Sequence, residues 1–403
     1  MITNRNPAFL SLFLLISFGS VSAVLFTPAL PEISMYFGVT HHAAEITVTL
    51  FLIGYAVGQL LYGPLANAYG RKPALYIGII LEIVSALVCV LSGYLHAFWL
   101  LVVARLFMAL GASVGLKMSF TLVADCYNAA ASTRIISHLM MAFAITPALG
   151  IALGGFLTQH FGWQSCFYFL ALYGIFLLYL TYRMQETATI MDRNALKLSN
   201  ILDKYTRKLK NRQLLLSAAI MGSGTSIVYV FAAFAPFLTI QWMHMSPSEY
   251  GLWNLLPPIG TITGAQLSAF LVKKLRPINA ILFGLVIMFA GTLLMLMAFA
   301  LHALLAIWLF LPLAIIYFGM AFVYANASTL AMQSVQDKSS ASAMMNFINM
   351  SIATLSVLLI GFISHQSSLL LPLFYGMLIL LAFSLFIGLL RNNTSYDVQK
   401  ERV

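Results

Sequence analysis

The sequence predicts an all-α polytopic membrane protein: twelve transmembrane helices in two six-helix bundles, with both termini cytoplasmic. Composition comes first. Of 403 residues, 61% are hydrophobic and only 8% charged, and mean hydropathy is +0.94. A soluble chain carries about 25% charged residues, so this one cannot cover a water-facing surface and needs lipid as its solvent. The second observation is the length of the apolar runs. In lipid the backbone satisfies its own hydrogen bonds, as helices or as a closed barrel. Runs of about 20 residues fit helices, whereas a barrel shows short alternating segments. The third is the one-sided placement of lysine and arginine, set out below.

Apolar runs between turn and charge signals place spans at 8–28, 43–63, 74–93, 98–122, 135–157, 164–182, 214–236, 249–271, 278–300, 303–325, 340–363 and 368–390. The first run is too long for a cleavable signal peptide. Of the 21 Lys and Arg, Arg105 and Lys117 fall inside a span. The other nineteen occupy alternate connections: Arg5, Arg71 and Lys72, Arg134, eight from Arg183 to Arg212, Lys273, Lys274 and Arg276, Lys338, and Arg391, Lys400 and Arg402. The positive-inside rule makes that side cytoplasmic. It also accounts for the net charge of +10 without a nucleic-acid partner. Residues 183–212 form the long interior polar stretch, which divides the chain into an N-terminal bundle (1–182), a basic linker (183–212), a C-terminal bundle (213–390) and a cytoplasmic tail (391–403). Within the linker, Lys204–Arg212 reads equally as a basic amphipathic helix on anionic lipid or as a solvated strand of chain.

Between spans two and three lies Gly63–Pro73, G-P-L-A-N-A-Y-G-R-K-P, a glycine-bearing turn held on the basic side by Arg71 and Lys72. Here the sequence resembles the major facilitator superfamily, whose signature at this place reads approximately G-x-L-x-D-x-x-G-R-[KR]-P. Arg105 in A-R-L-F-M-A-L-G-A matches the superfamily's fourth-span arginine motif. Pro147, Gly150, Gly154 and Gly155 (T-P-A-L-G-I-A-L-G-G) look like the fifth-span antiporter motif. T-P-A-L-P at 27–31 and V-A-D at 123–125 are similar to the Bcr/CflA-like branch of drug:proton antiporters. The resemblance implies the two-bundle major facilitator fold, and a cytoplasmic gating cluster at Gly63, Asn67, Gly70, Arg71, Lys72 and Asp125. The chain departs from the pattern at several places. The signature acid is Asn67, the arginine usual after it is Ala68, and the arginine usual before Asp125 is Ala124. The first-span acid of the branch is Val24, and Met108 replaces a common glutamine. The carried-over lock is an Arg71–Asp125 pair with Asn67 as a neutral partner, softer than the family's or substituted elsewhere.

Ionisable residues inside a span cost a few kcal/mol, so each is a functional candidate. Only the first half holds them: Glu82, Arg105 and Lys117, with Asp125 at a span end. A rise of about 1.5 Å per residue puts Glu82 roughly 12 Å and Lys117 roughly 8 Å from the basic face. Similar depth makes them an expected ion pair, either a neutralised structural pair or a proton-coupling site that includes Arg105. The resemblance implies a part in proton coupling for Arg105; the alternative is a tie from span four to backbone carbonyls of span one. The resemblance implies a substrate cavity lined by spans one, four, seven and ten. Phe26, Tyr229, Phe231, Tyr317, Tyr324 and Asn326 are its candidates, with Asn346 and Asn349 on one face of span eleven. Pro147, and Pro257-Pro258 with Gly260, are expected kinks. Seven of the eight histidines fall on the side opposite the basic loops, where they are expected to cap helix ends.

The expected function is secondary active transport by alternating access: proton-coupled efflux of small amphipathic drugs or metabolites across a bacterial inner membrane, by a monomer in the lipid bilayer. The alternatives are a dedicated carrier, importing or exporting a siderophore, amino acid or nucleoside, and a non-transporting sensor. No enzyme is expected. The sequence shows no nucleophile–base pair, phosphate loop or metal-ligand spacing, so neither cofactor nor metal is called for. Cys89, Cys126 and Cys166 read as packing residues.

Overall fold

The computed structural model describes residues 7, 9–188, 191–192, 209–271, 274–333, 335, 338–363 and 367–400. Arg5, Lys273, His365, Arg402 and most of the basic run 204–212 lie outside them. The described chain is all α-helical, and ten segments are long and apolar enough to cross a membrane. Two compact units divide it: Met1–Leu202 with His244–Leu252, and Asp203–Met243 with Trp253–Val403.

In the first unit, α1 (Phe9–Val24) leads through a 3₁₀ turn (Thr27–Ala29) into α2 (Leu30–Phe37). There follow α3 (His41–Tyr69), α4 (Arg71–Tyr94), α5 (Phe98–Ala112), α6 (Val114–Cys126), α7 (Ala129–Phe161) and α8 (Gln164–Arg183). The second unit holds α9 (Arg212–Pro236) with a π-helical extension (Phe237–Trp242). After α10 (Pro247–Trp253), most of which belongs to the first unit, come α11 (Pro257–Leu271), α12 (Pro277–Ala300), α13 (Ala306–Gln333), α14 (Lys338–Gly361) and α15 (Leu370–Lys400).

Several spans read as continuous are interrupted. Span one stops at Val24 because Pro28 carries no N–H to continue the ladder; the orphaned Val24 carbonyl accepts from Thr27 Oγ1 at 2.8 Å instead. Pro257 likewise splits span eight into α10 and α11, and Ser113 marks the junction of α5 and α6. Pro147, an expected kink, sits inside an unbroken α7. The signature segment differs in the opposite sense. Helix α3 runs through Gly63 to Tyr69, so the whole turn to α4 is Gly70, at φ 102°. His96, His244 and His302 take φ of 48°, 55° and 58° where α4, the π-helical extension and α12 end, the capping role expected of them.

Small residues set the close helix contacts that position the site. Gly54 and Gly58 of α3, spaced G-x-x-x-G, lie against the α5 backbone at Leu106 and Leu110. That approach aims Phe51, one turn earlier, at α5. Gly78 of α4 meets Gly111 of α5 in the same way, which lays Glu82, one turn on, against α5. In the second unit Gly284 packs on Gly319, and Gly260 and Gly264 pack on α13.

Candidate functional site

The break in the first span is a hub. Where the ladder stops, the carbonyls of Ser22 and Ala23 accept from Arg105 of α5, at 2.9 Å (Nη1) and 3.3 Å (Nη2). The guanidinium is fully buried and lies between two rings, 3.9 Å from the Phe26 centroid and 4.2 Å from that of Phe51. Each such contact is worth about 0.5–2 kcal/mol when desolvated. Five donors in a planar fork suit this place, because the fork takes two adjacent carbonyls while its faces stack. Ser22 also turns its hydroxyl to α4, where Oγ donates to Glu82 Oε1 at 3.2 Å. Glu82 is fully buried and its Oε2 has no hydrogen-bond partner. From α7, Gly154 lies directly against the Leu25 carbonyl, and Gly150 sits beside Val21 and Val24 with more room.

The expected Glu82–Lys117 ion pair is not formed. Glu82 bonds to Ser22, and the Lys117 stem passes Gly63 of α3. Matching the two by depth left out azimuth. Gly111 is the residue of this span that meets Glu82, and Lys117 follows it by six positions, about two thirds of a turn further round.

The second cluster lies at the signature turn. Arg71 pairs with Asp125, Nε to Oδ2 at 2.8 Å and Nη2 to Oδ1 at 3.4 Å. Its Nη1 also donates to the Ala66 carbonyl near the end of α3. Asn67 contributes its backbone oxygen, which accepts from Asp192 N–H at 2.9 Å. The carboxylate missing at position 67 arrives from beyond α8. Glu186 accepts from the N–H groups of Arg71 and Lys72, both at 2.9 Å, and from those of Thr187 and Ala188. Gly70, the N-cap of α4, has no side chain to satisfy these donors. Burial pushes the Glu186 carboxyl up, and the four N–H donors outweigh it, so it sits below its ordinary value. Thr187 Oγ1 adds a bond to Asp125 Oδ2 at 2.9 Å, and Lys72 Nζ bonds to the Tyr182 carbonyl. Residues 186–188 and Asp192 are thereby tied to the turn.

Gly155 faces the backbone at Pro247 and Gly251, and the Ser248 N–H bonds to Gln159 Oε1 at 3.1 Å. A cavity of about 270 Å³ between α1, α7 and α8 is lined by Phe13, Ser17, Leu149, Gly150 and Tyr173 among others. In the second unit, Tyr229 of α9 and Tyr317 and Tyr324 of α13 gather with Asn349 of α14, whose buried Oδ1 has no hydrogen-bond partner. Asn346 is half-buried nearby on α14. Phe231 packs on Phe310, and Asn326 is tied to Ser268 and the Phe322 carbonyl. Phe26, also a predicted substrate residue, is packed on Arg105 and Phe167 in the first unit.

Sequence reasoning missed Ser22 and the Glu186–Thr187 pair. The chain has only eleven acids, so asking what each one does would have singled out Glu186. A serine in an apolar helix carries no comparable signal.

A family model described as Major Facilitator Superfamily matches residues 10–357. An uncharacterized transporter of Rickettsia felis is 30% identical over 271 residues, 67% of this chain and 65% of its own length. The Multidrug transporter MdfA of Edwardsiella ictaluri is 27% identical over 339 residues, covering 82% of this chain and 80% of that protein. Multidrug resistance protein D of Escherichia coli is 29% identical over 161 residues, 40% of each chain. Among solved structures, a D-xylose-proton symporter superposes with a TM-score of 0.75 over 94% of this chain and 96% of its own, at 16% identity. That likeness is one of fold.

Proposed function

This chain belongs to the Major Facilitator Superfamily, and we propose that it exports small amphipathic molecules from the cytoplasm in exchange for protons, by alternating access. In this reading twelve spans cross a bacterial inner membrane with both termini cytoplasmic, grouped as 1–182 and 213–390 about the linker 183–212. A monomer suffices.

The observation that carries the reading is Glu82: a carboxyl wholly buried at the interrupted first span, with one oxygen unpartnered and a guanidinium one residue away. Charged, such a group leans on Arg105 and the Ser22 hydroxyl; protonated, it needs neither. Two charge states that favour different surroundings are what a proton-driven cycle requires. Glu82 takes the part that the resemblance assigns to a first-span acid, absent here at Val24. Arg71, Asp125 and Glu186 form the gate, and the glycines of α7 allow the close contacts along the first unit. In the second unit Tyr229, Phe231, Tyr317, Tyr324, Asn326, Asn346 and Asn349 contact substrate. Relatives named for multidrug resistance or multidrug transport favour a drug-like cargo.

A dedicated metabolite carrier is the second reading, favoured by the unsatisfied Asn349 oxygen beside three tyrosines. A buried acceptor discriminates for a substrate that donates to it. Flux of a panel of lipophilic cations from proteoliposomes, with and without an imposed pH gradient, decides between them. Gradient-driven flux lost in Glu82→Gln supports proton-coupled export. Absence of flux for every member sinks the drug reading and favours the metabolite carrier.

A further inference from the structure

The serines of the first span differ in what their hydroxyls do. Ser17 and Ser20 bond back to helix carbonyls, of Phe13 and of Ser17, the usual recourse of a hydroxyl in an apolar helix. Ser22 does not; its hydroxyl leaves the helix for Glu82. Among the described residues that is the one hydrogen bond joining α1 to α4. Its carbonyl, released by the interruption two residues later, is held by Arg105. A single residue therefore touches the buried acid through its side chain and the buried base through its main chain. Around it the titratable groups facing Glu82 are Arg105 from α5, Cys89 on α4 itself and Tyr173 from α8. Lys117 of α6 is turned towards α3.

We propose that Ser22 is the positioning residue that transmits the charge of Glu82 to the break in the first span. The inference rests on Glu82 as the proton site. An ionised carboxylate only accepts hydrogen bonds, so while Glu82 is charged the Ser22 hydroxyl is committed to it and α1 is drawn to α4. When Glu82 takes a proton from the aqueous side, the new O–H donates to Ser22 Oγ. The serine's own hydrogen then turns to the carbonyl four residues back, at Phe18, as that of Ser17 does to Phe13. A neutral bond, about half as strong, replaces the charge-assisted one that drew α1 to α4, Arg105 faces carbonyls with no charge behind them, and residues 22–30 are freer to change their angle to α4 and α5. Releasing the proton reverses each step.

The test needs no substrate. Infrared titration of the purified full chain follows the carbonyl stretch of the protonated carboxyl, assigned to Glu82 by its loss in Glu82→Gln. Hydrogen exchange of residues 22–30, corrected for the intrinsic pH dependence of amides, follows the break. In the wild type both change with one midpoint. Ser22→Ala removes the hydroxyl and keeps the carbonyl; its infrared midpoint moves to higher pH by about one unit, the size of one lost hydrogen bond to the charged form. Its exchange no longer steps with that midpoint. Ser22→Thr, which keeps a hydroxyl, restores both. A Glu82 band whose midpoint is the same in Ser22→Ala overturns this proposal alone. A titrating band that persists in Glu82→Gln overturns the proton-site reading and the proposal together.

Discussion

Two arginines of the first unit meet acids under opposite conditions. Arg71 and Asp125 are 14% and 22% exposed and bond to each other directly. Arg105 and Glu82 are fully buried, and a serine stands between them. Near water, a direct pair is inexpensive to form and contributes only about 0–1 kcal/mol. In a dry interior, the same contact would take both charges wholly from water, and their attraction need not cover that cost. The buried arginine is instead held by carbonyls, the Met108 sulfur and aromatic faces, with its Nε unpartnered, which leaves the acid dependent on one hydroxyl. In the proposed function one cluster holds a turn and the other responds to protons, and the same residue types differ in solvation.

The largest effect separating the two clusters is expected at Arg105. Removing it in Arg105→Ala strands two carbonyls and an uncompensated carboxyl, so the chain loses about 3–5 kcal/mol of stability, read as a denaturation midpoint in detergent micelles. Arg105→Lys recovers little, since one ammonium cannot fork to Ser22 and Ala23 while stacking on Phe26 and Phe51. A full recovery by lysine would break the argument from shape.

Next comes a contrast along α7. A methyl group at Gly154 would run into the Leu25 carbonyl, while at Gly150 it would make ordinary contacts of 3.7 Å with Val21 and Val24. Gly154→Ala therefore costs about 1–3 kcal/mol and Gly150→Ala almost nothing, with melting curves of the two variants side by side as the check. Equal losses would mean that the packing at the break is misjudged.

The exposed cluster should respond more weakly and with its own pH dependence. Glu186→Gln costs about 1 kcal/mol, the scale of a helix cap. Because the folded Glu186 lies below its ordinary value near 4.5, its contribution is complete above that value and disappears as pH falls through the lowered one. Melting midpoints of the wild type between pH 6 and 3 should show that fall, and Glu186→Gln should flatten it. Smallest is Asp125→Asn, about 0.2–1 kcal/mol, because Arg71 keeps the Ala66 carbonyl. A loss there as large as at Arg105 would erase the difference between the clusters.

Much of this was legible in the sequence. Helical spans followed from apolar run length, and the placement of Arg105 and Glu82 inside them from the same runs. Where sequence reasoning failed, the missing quantity was rotation or long-range proximity. Depth along a helix is additive and can be counted, so Lys117 matched Glu82 in depth; the face each presents depends on how α5 and α6 meet at Ser113. Glu186 lies 115 residues from Arg71, and nothing local to the signature turn announces it. The interruption at Pro28 was spelled in T-P-A-L-P, but the partners of the freed carbonyls belong to α5 and α8, beyond the reach of any local pattern.

The central claim is that the transported proton resides on Glu82. It is tested most directly by adding the best-transported cation of the panel to the solubilised full chain in weakly buffered solution and recording proton release with a pH indicator. The wild type should release protons on binding, and Glu82→Gln should bind the same cation silently. Undiminished release from Glu82→Gln would contradict the account and move the proton elsewhere.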